Sequence, residues 1–245
     1  MKFVRYKENK TEYRGVLDDK KIKRITGSFF LDYGVTQDVV NVDDITFLPP
    51  VLSGKIIGLR ANYDKHLDNP LCFMKPRSSL AAHNDKIIIP KFLDKVNLEG
   101  ELAVVISKKC RNIKEKNALN YVLGYTIAND VTGLSSKFSE SFTCGKWFDT
   151  FTPLGPVINT SISWENLEIV TRINGKTVQS GNTNNMFFKV PYIITYLSNI
   201  ITLDAGDVIL TGTPSSAVEI HHNDNIEIEI ENIGILKNIA VAEND

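Results

Sequence analysis

Glu99-Gly100-Glu101 sets two carboxylates at the start of an apolar run, 102–106, and residues two apart on a strand project to the same side. Carboxylates sharing a small volume repel unless a cation lies between them, and their hard oxygens suit Mg²⁺, Mn²⁺ or Ca²⁺. An E-x-E pair also fits a solvated strand edge, which is how Glu227 and Glu229 read in N-I-E-I-E-I at 225–230. Asp130 adds a third carboxylate. It follows the apolar stretch 124–128, where a buried, unpartnered acid is costly, although Asn129-Asp130 is also ordinary turn chemistry.

Other groups suit a substrate. Lys146, next to Gly145 in an aromatic-rich loop, could steady the enolate charge that develops when a bond beside a keto group breaks; the alternative is an exposed loop lysine. In Thr211-Gly212-Thr213-Pro214, just after an apolar strand, backbone N–H groups at Gly212 and the Thr213 hydroxyl could grip a carboxylate, or form a plain turn. His66, in Asn62-Tyr63-Asp64-Lys65-His66, is a candidate general base, whereas His83, His221 and His222 read as surface residues.

These residues need a scaffold, and its pattern is mainly β with few helices (α+β). Short segments rich in Val, Ile and Thr recur at 2–6, 101–107, 124–129, 168–173, 207–211 and 225–231. Asn174-Gly175 predicts a two-residue hairpin turn. Pro191 opens an amphipathic helix through Ile193, Ile194, Leu197, Ile200 and Ile201, and a second short helix is expected over 113–121 with Asn112 as N-cap and Ala118, Leu119 and Val122 inward. Pro49-Pro50 follows a turn-rich acidic stretch, so residues 1–48 are read as a small N-terminal lobe and 49–245 as the catalytic domain.

The chain has 245 residues, 42% of them hydrophobic, enough for one sizeable core and a small appended unit. A net charge of -1 with interspersed signs offers no basic stripe for nucleic acid. MKFVRYKENK has no apolar signal core and the uncharged stretch 190–203 is too short to span a bilayer of about 30 Å, so a protein with no membrane contact, in the cytoplasm, is expected. Cys72, Cys110 and Cys144, odd in number and widely spaced, read as reduced thiols.

From 55 to 239 the sequence closely resembles the fumarylacetoacetate hydrolase family. The matching pieces, in order, are N-Y-D-K-H at 62–66, F-M-K-P at 73–76, E-G-E-L-A-V-V-I at 99–106, G-Y-T-I-A-N-D-V at 124–131, G-K-W-F-D-T-F-T-P-L-G-P at 145–156, N-G-K-T-V-Q-S-G-N-T at 174–183 and L-D-A-G-D-V-I-L-T-G-T-P at 203–214. The resemblance implies a mixed β-roll or β-barrel fold, a homodimer, Mg²⁺ or a similar ion on Glu99, Glu101 and Asp130, and Lys146 and Thr213 in the substrate pocket. Gly212, Lys75 and Arg60 are added as substrate contacts.

Two departures discriminate among family activities. Acylpyruvate-type hydrolases carry a glutamate three residues after the histidine to help activate water; here that position is Asn69, which cannot accept a proton. Many members also have an arginine where this chain has Leu134, and Arg60 or Lys137 is the candidate replacement. The stretch G-T-P-S-S-A-V-E-I at 212–220 resembles the family's isomerase/decarboxylases of homoprotocatechuate breakdown. The expectation is therefore an Mg²⁺-dependent isomerase/decarboxylase of a small 2-oxo or 2-hydroxy-diene acid. Its rivals are a C–C hydrolase, an oxaloacetate decarboxylase or tautomerase, and a metal-binding homologue without turnover.

Overall fold

The strand Gly100–Ile106 organises the architecture because it is buried along its whole length. Leu102, Val104 and Ile106 enter one core with Ile57, Leu59 and Ile209, while Ala103 and Val105 enter a second with Ile158, Val208 and Leu210. A strand apolar on both faces belongs inside a covered sheet, and each fully buried Leu, Ile or Val contributes about 1.5–3 kcal/mol. The structure is a computed structural model describing residues 1–63, 67–138 and 142–244.

The large sheet runs in the order Tyr33–Asn41, Lys21–Gly27, Thr11–Asp18, Lys2–Glu8, Thr152–Asn159, Val122–Asn129, Gly100–Ile106, Val208–Leu210, Ile56–Arg60, Leu71–Lys75. Residues 1–48 thus supply the strands at one end, joined to the rest by the register Lys2↔Asn159 and Phe3↔Ile158. A second sheet contains Lys176–Asn182, Glu168–Ile173, Asn225–Ile230, Gly234–Ala242 and Lys86–Ile89, and a third contains Thr132–Leu134, Lys95–Leu98 and Val218–Glu219. The fold is mainly β, as expected, with its sheets open rather than closed into a barrel.

Local signals account for several elements. In Asn225–Ile230 the isoleucines are buried and both glutamates half-buried, as strict alternation requires. Asn174 and Gly175 have φ of 50° and 78°, the paired positive angles of a two-residue hairpin turn. The helix Val190–Ile200 carries its proline in the first turn, and Ile193, Ile194 and Leu197 are buried; Ile200 is 60% exposed because it lies past the packed face.

The second expected helix differs. It is a 3₁₀ segment, Glu115–Tyr121, in which Ala118 is buried but Leu119 is 47% exposed. Asn112, with φ of 51°, does not cap it: the segment starts later than expected and its N-cap position is Lys114. His221 and His222 are exposed, but His83 is half-buried, edge-on to Phe47, and its Nδ1 accepts the Lys237 N–H. Burial, and then Lys237, lower the His83 pKa. Cys72, Cys110 and Cys144 form no disulfide. Among the described residues, no helix is long and apolar enough to cross a membrane.

Candidate metal and substrate site

The acidic cluster arises from one strand register. Gly100 pairs with Asn129 across the two central strands, which sets Glu101 opposite Ala128 and brings Asp130 beside Glu99. Two bonds lock the corner: the Asp130 N–H donates to the Glu99 carbonyl at 2.8 Å, and Asn129 Oδ1 accepts the Glu99 N–H at 3.1 Å. Carboxylate oxygens of Glu99, Glu101 and Asp130 consequently lie within 4.8 Å of one another, with Glu101 and Asp130 each 1% exposed.

Backbone and lysine donors hold this cluster. Gly212, with φ of +95°, donates its N–H to Glu101 Oε2 at 2.6 Å, and an added Cβ at Gly212 would come within 3.0 Å of Asn62. Lys146 Nζ donates to Glu99 Oε2 at 2.9 Å and Asp130 Oδ2 at 2.5 Å, and lies 4.7 Å from the centre of the Phe73 ring. Lys75 Nζ donates to Asp130 Oδ1 at 2.5 Å and to the Val131 carbonyl at 2.9 Å.

The electrostatics follow from burial and crowding. Burial, reinforced by Asp130 and Glu99, pushes the Glu101 carboxyl well above the usual range, and burial also raises Glu99. Burial would raise Asp130 too, but Lys146 and Lys75 outweigh it and hold that carboxyl below its ordinary value. Lys146 is likewise desolvated, yet Asp130 and Glu99 raise its pKa, so its ammonium stays charged. For Lys75 burial wins, pushing the ammonium down to about 8. Three carboxyl groups and two ammonium groups thus share one corner, with hard oxygen donors in excess. That donor set fits Mg²⁺, Mn²⁺ or Ca²⁺.

Lys146 is 1% exposed rather than a solvated loop residue. Its position depends on Gly145, where an added Cβ would fall 2.1 Å from the Gly133 carbonyl oxygen. Trp147 pins the other side by donating its indole N–H to the Met74 carbonyl at 3.2 Å.

A cavity of about 330 Å³ opens over the cluster; Glu99, Glu101, Lys146, Arg60, Leu134 and Thr213 are among its lining residues. Arg60 therefore lines the same cavity as Leu134, the position at which the resemblance implies an arginine. Lys75 does not fit the role of substrate contact, because its fully buried ammonium lies behind Asp130 and outside the cavity lining. It props Asp130 instead. Gly212 acts through its bond to Glu101, and His66 lies outside the described residues.

Sequence reasoning assigned no role to two buried amides. Asn62 donates to the Phe188 and Thr211 carbonyls and accepts the Phe188 N–H, tying its loop to the chain that leads to Gly212. Gln179 bridges Gly100 to the segment bearing Thr213. Both residues stand in quoted motifs, but their partners are more than thirty residues away in the chain and no local spacing reveals them.

The chain is similar to known proteins along most of its length. A family model described as Fumarylacetoacetate (FAA) hydrolase C-terminal matches residues 53–241, and one described as Rv2993c-like, N-terminal matches residues 1–50. An uncharacterized protein of Archaeoglobus fulgidus is 46% identical over 206 residues, covering 80% of this chain and 82% of its own. A human mitochondrial oxaloacetate tautomerase is 38% identical over 220 residues, covering 81% of this chain and 70% of its own. The crystal structure of 2-hydroxyhepta-2,4-diene-1,7-dioate isomerase from Mycobacterium marinum superposes with a TM-score of 0.94 at 31% identity, over 100% of both chains. The chain belongs to the fumarylacetoacetate hydrolase family.

Proposed function

We propose that this protein is a divalent-metal-dependent isomerase/decarboxylase of a small 2-oxo or 2-hydroxy-diene dicarboxylic or tricarboxylic acid, with Mg²⁺ held by Glu99, Glu101 and Asp130. The observation that carries the reading is the convergence of those carboxylates with the Lys146 ammonium beside a substrate-sized cavity that Glu99, Glu101 and Lys146 line. A divalent ion bound there supplies Lewis-acid polarisation of a 2-oxo acid. Lys146, kept charged by Asp130 and Glu99, stabilises negative charge developing on the substrate rather than accepting a proton. Arg60 and Thr213 bind carboxylate groups along the cavity.

Asn69 supports non-hydrolytic chemistry because an amide cannot act as the base that activates water. The likeness to an isomerase over the whole chain points the same way. A second reading, oxaloacetate tautomerase, is favoured by the human relative's activity and needs the same proton shuffle beside a keto group. The test offers purified protein with Mg²⁺ oxaloacetate, 5-oxopent-3-ene-1,2,5-tricarboxylate and acetylpyruvate in parallel, following CO₂ and ultraviolet absorbance. CO₂ from the tricarboxylate supports the first reading, and keto–enol conversion of oxaloacetate alone supports the second. Acetate and pyruvate released from acetylpyruvate would overturn both in favour of a hydrolase.

A further inference from the structure

The strand Lys176–Asn182 belongs to the second sheet, yet it sends one side chain into the site built on the first. Gln179, 2% exposed, accepts the Gly100 N–H on Oε1 at 3.1 Å and donates from Nε2 to Thr213 Oγ1 at 3.1 Å and to the Ser216 carbonyl at 2.9 Å. The orientation of its amide is over-determined, since an N–H must meet the oxygen and a carbonyl must meet the nitrogen. Two residues along the same face, Gly181 lets Pro214 approach so closely that a Cβ would fall 2.4 Å from it. The strand thus presses on the 213–216 segment at two points.

A hydroxyl has one proton to donate. With the Gln179 N–H occupying a lone pair of Thr213 Oγ1, that proton is free to point elsewhere, and Thr213 lines the cavity. We infer that Gln179 is a positioning residue that turns Thr213 into a hydrogen-bond donor toward a substrate carboxylate, and couples that donor to the backbone between Glu99 and Glu101. The inference rests on the substrate reading above and goes beyond it by assigning the polarity of the grip. The group met by the Thr213 O–H must be an acceptor, a carboxylate or a keto oxygen.

The probe is oxalate, a planar dianion with acceptors only, titrated calorimetrically into the Mg²⁺-loaded protein. Gln179→Met should weaken oxalate binding roughly tenfold or more, as expected for losing a directed bond to a charged acceptor. In a Thr213→Val background the same change should cost less than about threefold, because the residue through which Gln179 acts is already gone. Gln179→Glu, which keeps the length and the bond from Gly100 but replaces the amide donor with an acceptor that captures the Thr213 proton, should reproduce the loss if the methionine variant does not fold. Equal losses in both backgrounds, or no loss in a folded variant, would overturn the inference and leave the proposed function standing. Absence of oxalate binding to the wild-type protein in Mg²⁺ would instead sink the substrate reading, and this inference with it.

Discussion

Replacing Glu101 by glutamine separates the two things its carboxylate does. Oε2 accepts the Gly212 N–H at 2.6 Å, a bond the amide oxygen of glutamine can keep, whereas the charge is lost. That charge shares its volume with Glu99 and Asp130, with oxygens within 4.8 Å. At that spacing two unit charges repel by about 3.5 kcal/mol in an effective dielectric of about 20, and Lys75 and Lys146 offset part of it. Burial first, then these acidic neighbours, hold the Glu101 pKa well above 4.5. Between the unfolded and folded values the folded protein binds the extra proton, so without metal its stability falls as pH rises through that window. In EDTA the Glu101→Gln variant should therefore melt at or above the wild-type temperature, with a gap that widens as pH rises above the ordinary carboxylate range. Mg²⁺ reverses the order: at about a hundred times its Kd it stabilises the wild type by about 2.7 kcal/mol, which raises Tm by roughly 5–11 °C for a chain of this size. The variant should gain less than about 2 °C in the same scan, followed by circular dichroism. Equal Mg²⁺ shifts in the two proteins, or a metal-free variant melting many degrees lower, would refute the assignment of this charge to a cation.

Two other substitutions probe the lysine. Gly145→Ala drives a Cβ to 2.1 Å from the Gly133 carbonyl, an overpacking that should cost about 1–3 kcal/mol in urea unfolding and lower kcat by displacing Lys146; a variant as stable and active as wild type would show that the loop yields freely. Lys146→Met removes the cation that occupies Asp130 Oδ2 and Glu99 Oε2, so Mg²⁺ should bind more tightly by calorimetry while turnover falls by about a hundredfold or more. Weaker Mg²⁺ binding with retained turnover would reverse the role given to this side chain.

Much of the fold was legible in local patterns because local physics decides it. Alternation in 225–230, positive φ at Asn174-Gly175 and proline in the first turn of Val190–Ile200 act over a few residues, and each expected element is present. The 113–121 segment departs from its pattern because packing leaves Leu119 outside and a 3₁₀ turn fits the short span. In the site, the sequence alone determined which residue types were available: three carboxylates at strand ends, a glycine-flanked lysine and a threonine after a strand. Only the tertiary structure decided which of them meet. The Gly100↔Asn129 register brings Asp130 to Glu99, burial sends Lys75 behind Asp130 instead of into the cavity, and Gln179 arrives from another sheet. Those outcomes depend on contacts between residues about thirty to eighty positions apart, and such contacts are set by how the sheets pack rather than by any spacing along the chain.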